Sequence, residues 1–442
     1  MKKTKNLNYF TFEHNDEKLL AQAKEADKRY KEGTNRPLEG IPICLKDNID
    51  STDGSPTTAG SPALLGNHSK TDSQLWHRLK TMGSINLGKT NMNEFALGTT
   101  TVNKHYGTAH NPFDPTLIAG GSSGGTAGLV AAGVAPFGIG TDHSGSNRIP
   151  SAYCGIVGYR PTVNRWPCDF GIKNTHYKDV AGPLVQDMED LVLIDEIVSE
   201  SVEKGLPALK DITVAIPQLH FYENLEPKIQ HHMEEVINRL KKAGVKLVQN
   251  DGIELTYDQA MTSFHLVNYE FKERLNDYLT VQGLKDKYPT FASLLEHIGS
   301  DDVRQLLKAL DEHPSTQEQF YDAFFRHRAN MRRHIEYYFQ YTHCDVILYP
   351  SVSLMPSKIE DIHGPQWTVK HNGQEISQFL ISTKNVDVAS AANMPAITLP
   401  SVRNPSKENL PIGVEVASLT GYDRKVISVA RALEKVILGT HQ

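Results

Sequence analysis

Three stretches of this 442-residue chain combine residue types that can do chemistry. Gly83-Ser-Ile-Asn-Leu-Gly88-Lys89-Thr90 fits the phosphate-loop pattern G-x-x-x-x-G-K-[ST] at every position. A working phosphate loop follows an apolar strand and wraps phosphates with its backbone N–H groups. Here residues 75–82 read as helix, and the apolar strand falls inside the motif, at Ile85 and Leu87. No later apolar strand ends in a magnesium-binding Asp, so the context for nucleotide binding is missing. Gly121-Ser122-Ser123-Gly124-Gly125 satisfies G-x-S-x-G, which in a strand–turn–helix elbow would make Ser123 a nucleophile. The strand before it, residues 115–119, is a poor one for that purpose. There is no His-Glu-x-x-His, and Cys44, Cys154, Cys168 and Cys344 form no Cys-x-x-Cys pair. Neither a metal site nor any cofactor is expected.

Three separated segments give a further reading when taken together. They are Gly40-Ile-Pro-Ile-Cys-Leu-Lys46-Asp-Asn-Ile, Gly120-Gly-Ser122-Ser-Gly-Gly125 and Gly140-Thr-Asp-His-Ser-Gly-Ser146-Asn-Arg-Ile-Pro150. In this order, with Ser122 and Ser146 lying 24 positions apart, they resemble the signature blocks of the amidase signature family of serine hydrolases. The resemblance is densest over residues 39–184, including Leu87-Gly-Lys-Thr-Asn-Met-Asn-Glu-Phe-Ala96 and Asp179-Val-Ala-Gly-Pro183. It resumes near Asp345 and at Asn393-Met-Pro-Ala-Ile-Thr-Leu-Pro400. It implies hydrolysis of a linear amide through a covalent acyl-Ser146 intermediate. Ser146 is then the nucleophile, Lys46 the base, and Ser122, on a cis peptide bond after Gly121, the proton relay. It further implies an oxyanion hole made by backbone N–H groups of His143, Ser144, Gly145 and Ser146. Gly121, Ser123, Asp142 and Arg148 support the loops. His143, Ser144 and Asn147 depart from the family's usual Thr, Gly and apolar residue.

The residue types suit these roles. A Ser hydroxyl attacks an amide only once a base takes its proton, and the leaving amine must then be protonated. A Lys is a base only when neutral, against an ordinary pKa of ~10.4. Burial disfavours the charged form and lowers that value. The apolar run Ile41-Pro-Ile-Cys-Leu45 before Lys46 is the lead-in such burial needs. A hydroxyl between base and nucleophile can accept and donate at once.

These residues need elements to hold them. The short runs 41–45, 84–87, 212–216, 245–248, 345–349, 396–399 and 412–416 read as strands, while 226–243 and about 423–436 read as helices. The alternation predicts an α/β fold, and the resemblance makes it the amidase signature fold: a central mixed sheet covered by helices on both faces. A single domain over 1–442 is expected, with a signature core at about 39–184. A mostly helical, substrate-shaping region spans about 257–340. Aromatics there (Phe264, Tyr269, Phe320, Tyr321, Phe324) either line an acyl pocket or pack the helices.

Composition bounds the rest. The formal net charge is −6, from 46 Lys+Arg against 52 Asp+Glu, which argues against direct nucleic-acid binding. No apolar run is long enough to cross a membrane and no secretory signal is apparent, so a cytoplasmic protein with reduced thiols is expected. The expected partner is a small-molecule amide substrate, with a homodimer left open. Residues 87–125 also resemble the catalytic subunit of the tRNA-dependent glutamine amidotransferases. Residues 269–279 and 291–298 instead resemble the helical region of stand-alone amidases. A non-catalytic scaffold on the same fold is the remaining alternative.

Overall fold

The computed structural model describes residues 2–202, 205–253, 255, 262–362 and 368–440. Strands β1 (Phe10–Glu13), β2 (Pro42–Lys46), β3 (Ile85–Thr90), β4 (Phe137–Asp142), β5 (Val157–Arg160), β6 (Val180–Val185), β7 (Thr213–Pro217), β8 (Lys246–Asn250) and β9 (Val346–Pro350) are joined by β12 (Ala396–Pro400) and β13 (Gly413–Ala417). Together they form one 11-stranded sheet in the order β1-β3-β2-β4-β6-β5-β12-β13-β9-β7-β8. Pairs β2–β3, β2–β4, β7–β8 and β7–β9 are parallel. The other pairs are antiparallel, so the sheet is mixed as expected. A separate hairpin joins β10 (Thr368–His371) to β11 (Gln374–Ser377).

Successive side chains on a strand point to opposite faces, so a sheet with both faces apolar must be covered on both. Val214, Ile216, Val346 and Leu348 pack with helices α5 (Met188–Ser199), α6 (Pro227–Lys242) and α14 (Asp423–Ile437). Their neighbours Ala215, Ile347 and Tyr349 pack with α11 (Arg328–Thr342) and α13 (Val386–Ala392). On the signature side, α3 (Gly124–Ala131), built of small residues, is buried along almost its whole length.

The helical region contains α7 (Thr262–Gln282), α8 (Phe291–Leu295), α9 (Asp301–Glu312) and α10 (Gln317–Tyr321). A π-helical turn, Asp322–His327, leads from α10 into α11. Phe271, Leu275, Leu279, Leu294 and Leu307 form a core that closes on Ala63, Leu64, Phe95 and Ile172 of the signature part. Glu94 pins the junction. Its carboxylate accepts hydrogen bonds from Ser61 Oγ (2.5 Å), Gly299 N (3.0 Å) and Ser300 N (2.7 Å).

Candidate active site

Lys46 ends β2, a parallel neighbour of both β3 and β4, where its side chain is fully buried. Its Nζ donates to Ser122 Oγ at 2.8 Å, Thr141 Oγ1 at 2.9 Å and, more loosely, Thr141 C=O at 3.4 Å. None of these partners is a carboxylate. Burial therefore dominates and pushes the ammonium pKa down to about 7, although Asp142 and Asp179 pull it up.

Ser122 follows a cis Gly121–Ser122 peptide and immediately precedes the start of α3. Only Gly fits at 121: a Cβ there would lie 2.4 Å from Asn93 Oδ1. That oxygen is fixed by accepting from Thr100 N and Thr101 N. Ser123 points elsewhere, donating to Thr141 C=O and Asn147 Oδ1, both at 3.2 Å. The elbow reading therefore loses its nucleophile, since Ser123 is a fully buried brace between β4 and the following loop. The phosphate-loop reading fails for a similar reason. Lys89 is fully buried within β3 and bonded to Ile49 C=O (2.5 Å) and Thr57 Oγ1 (2.9 Å).

Ser146 lies in the turn between β4 and α4 (Arg148–Cys154). The Asp142 carboxylate shapes this turn, accepting Gly145 N at 3.0 Å and Asn147 N at 3.2 Å. Gly145 has φ +102°, and a Cβ there would meet Val386 Cγ2 at 2.3 Å. Asp142 is gripped by Arg148 Nε (3.0 Å) and Nη2 (3.1 Å), and by Arg160 Nη1 (3.1 Å). Arg148 also bonds Glu415, Val386 C=O and Ser390 Oγ. Two guanidiniums thus face two carboxylates, all fully buried, so this cluster of four is balanced within itself. Burial alone would raise the Asp142 pKa, but the two arginines outweigh it and hold the carboxyl well below its usual range.

The expected residues come together, with two qualifications. Ser123 N donates to Ser146 C=O at 3.2 Å, tying the two serine loops. The Ser146 hydroxyl, however, makes no hydrogen bond to Ser122. Catalytic hydrogen bonds are often long without substrate and tighten in the complex. Of the four expected oxyanion donors, Gly145 N–H departs from expectation, being occupied by Asp142. The N–H groups of His143, Ser144 and Ser146 have no partner among the described residues.

Residues that sequence reasoning gave no role also converge here. Thr141 receives the lysine proton donors. Lys178, fully buried, donates to Ser144 Oγ at 2.8 Å, Asp387 Oδ1 at 2.6 Å and Ser263 Oγ, which joins the nucleophile loop to α7 and α13. Asp179 accepts from His143 Nδ1. The only available signal was the block Asp179-Val-Ala-Gly-Pro183, a charge opening an apolar strand. Among the aromatics of the helical region, some stack with one another and others face solvent. Tyr269, Phe320 and Phe324 stack in a row that ends on Tyr177, beside Lys178. Phe264 and Tyr321 are 45% and 48% exposed.

Comparisons with known proteins agree with this architecture. The Amidase family model matches residues 2–427. Indoleacetamide hydrolase of Agrobacterium vitis is 34% identical over 424 residues, covering 95% of this chain and 88% of that protein. Mandelamide hydrolase of Pseudomonas putida is 31% identical over 422 residues, covering 92% and 80%. A crystal structure of an amidase superposes with TM-score 0.85 at 25% identity, covering 98% of this chain and 93% of that one. The chain belongs to the amidase signature family, whose members hydrolyse amides.

Proposed function

We propose that this protein is a stand-alone amidase in which Ser146 attacks the amide carbonyl and forms an acyl-enzyme. The observation that carries this reading is the 2.8 Å hydrogen bond from a fully buried, carboxylate-free Lys46 to Ser122. Neutral Lys46 draws the proton of Ser122 as Ser122 takes that of Ser146. The N–H groups of His143, Ser144 and Ser146 face the oxyanion. Removing one such donor in other enzymes costs ~3–4 kcal/mol of transition-state stabilisation. As the tetrahedral intermediate collapses, the proton returns from Lys46 through Ser122 to the leaving nitrogen, and water then releases the acid.

The substrate on this reading is a small primary amide with an aromatic acyl group. The named activities of the two relatives and the aromatic row ending beside Lys178 support that class. Residues 1–442 then act as one amidase domain in the cytoplasm, without cofactor or nucleic acid, and a homodimer is compatible with it. The test is ammonia release by the purified chain over aliphatic, aryl-acetic and peptide C-terminal amides and glutamine, with Ser146→Ala alongside. Release on aryl-acetic amides that vanishes in the variant supports the assignment. Release retained in Ser146→Ala removes the nucleophile, and release only from glutamine with an added subunit points to an amidotransferase.

A further inference from the structure

Position 143 carries a histidine in the loop that ends on the nucleophile, and its surroundings fix which ring nitrogen faces outward from its carboxylate. Asp179 Oδ1 is bonded to His143 Nδ1. The same carboxylate accepts Asn174 N (2.6 Å), Thr175 N (3.3 Å) and Thr175 Oγ1 (3.2 Å), so it is held from three further sides. A carboxylate accepts only, so Nδ1 bears the proton and Nε2 of the neutral ring is an acceptor. His143 Nε2 is buried, and it has no hydrogen-bond partner among the described residues. The side chain as a whole is 11% exposed. A buried acceptor left unpaired costs ~1–3 kcal/mol, a cost that a ligand donor would relieve.

Burial favours the neutral ring over its charged form. Burial pushes the His143 pKa down and Lys178 adds to this, against the upward pull of Asp179 and Asp387. Asp179 is itself held below the usual carboxylate range, because the hydrogen bonds from His143 Nδ1, Asn174 N and Thr175 N oppose its burial. The pair also lies close enough to the reacting groups for Asp179 to act on Lys46.

We propose that His143 Nε2 accepts a hydrogen bond from an N–H or O–H donor of the bound substrate, making His143 a specificity-determining residue. This rests on Ser146 being the nucleophile, since only then does residue 143 flank the reacting amide. Two parts of the substrate can supply the donor: the leaving NH2 group, or a donor on the acyl carbon beside the carbonyl.

Four probes separate these sources: phenylacetamide, methyl phenylacetate, mandelamide and methyl mandelate. They combine a leaving group with or without N–H with an acyl group with or without a hydroxyl. kcat/KM is measured for each with the wild type, His143→Asn and His143→Thr. If the leaving nitrogen is the donor, the amide-to-ester ratio falls about tenfold in both variants, the size of one neutral hydrogen bond. If the acyl hydroxyl is the donor, the mandelyl-to-phenylacetyl ratio falls about tenfold for amide and ester alike. Ratios that stay within twofold of wild type overturn the proposal, whether the absolute rates fall together or not at all. Should His143→Asn fail to fold, His143→Thr alone decides, because the ratio is independent of the amount of active enzyme. Turnover surviving in Ser146→Ala would instead sink the reading of the site beneath it.

Discussion

Two lysines lie near the C-terminal ends of adjacent strands, and both are fully buried. Lys46 lies on β2 and Lys89 on β3, where Leu45 pairs with Lys89 and Lys46 with Thr90. Burial disfavours the ammonium at both, so burial alone does not make a base. What differs is the lining. Lys89 sits in the field of Asp47, Asp50 and Asp53 and donates to Ile49 C=O and to Thr57 Oγ1, a hydroxyl with no bond toward the nucleophile loop among the described residues. Lys46 has hydroxyls within bonding distance, and one of them, Ser122, belongs to the loop tied to Ser146. Neither lysine bonds a carboxylate and each bonds a hydroxyl, so what separates the general base from an internal counter-ion is a weaker carboxylate field and a hydroxyl whose loop is tied to the nucleophile.

That contrast can be broken by exchanging the lysines for an apolar side chain of similar length. Lys46→Met is expected to lower kcat/KM by about 10³-fold or more, the upper end for a general acid–base group. Its melting temperature should be unchanged or higher, since an unpaired buried amine is replaced by packing. Activity within tenfold of wild type would contradict the assignment. Lys89→Met should do the opposite. It strands Asp47 and Asp50 without their cation, so stability in urea should fall by ~3–5 kcal/mol. Its folded fraction should keep most of its turnover. Equal rate losses in the two variants would erase the distinction drawn here.

The hydroxyl partners sharpen the same point with smaller effects. Ser122→Ala should cost about 10²–10³-fold in kcat, because it removes the hydroxyl bonded to Lys46 in the loop tied to Ser146. Thr57→Val, which removes the equivalent hydroxyl from Lys89, should cost ~1 kcal/mol of stability and little rate. Ser123→Ala should lie nearer Thr57→Val than Ser122→Ala. The reverse order of the two serines would revive Ser123 as a nucleophile.

Much of this was legible in the sequence because the signals are local. The apolar lead-in to Lys46 and the Gly/Ser content of residues 120–125 and 140–150 each report on backbone within a few residues. The strands at 212–216, 245–248, 345–349, 396–399 and 412–416 appear within one or two residues of those positions. Strand β1 escaped notice because its four residues, Phe-Thr-Phe-Glu, form a short sheet edge with no apolar run. Strand β6 is legible in the sequence only through the block Asp179-Val-Ala-Gly-Pro183, whose Gly182-Pro183 interrupts an apolar run. The polar network was out of reach for a different reason. Glu415 meets Arg148 across 267 positions of chain, and Lys178 meets Asp387 across 209, through registers that no local pattern encodes. His232, on the otherwise charged helix α6, bonds Ser401 Oγ at 2.8 Å, a partner 169 residues away that no local pattern points to.

The pH dependence of acylation bears most directly on Lys46 as the base. Because the folded pKa is lowered from 10.5 to about 7, the amine is neutral above that value and protonated below it. The acylation rate constant, measured from the burst of product in single turnovers, should rise through an apparent pKa near 7 and flatten above it. The Lys46→Met variant should lose this limb along with its rate. A wild-type profile that stays flat from pH 8 down to pH 5 would show that the proton goes elsewhere, and the account of this site would fail.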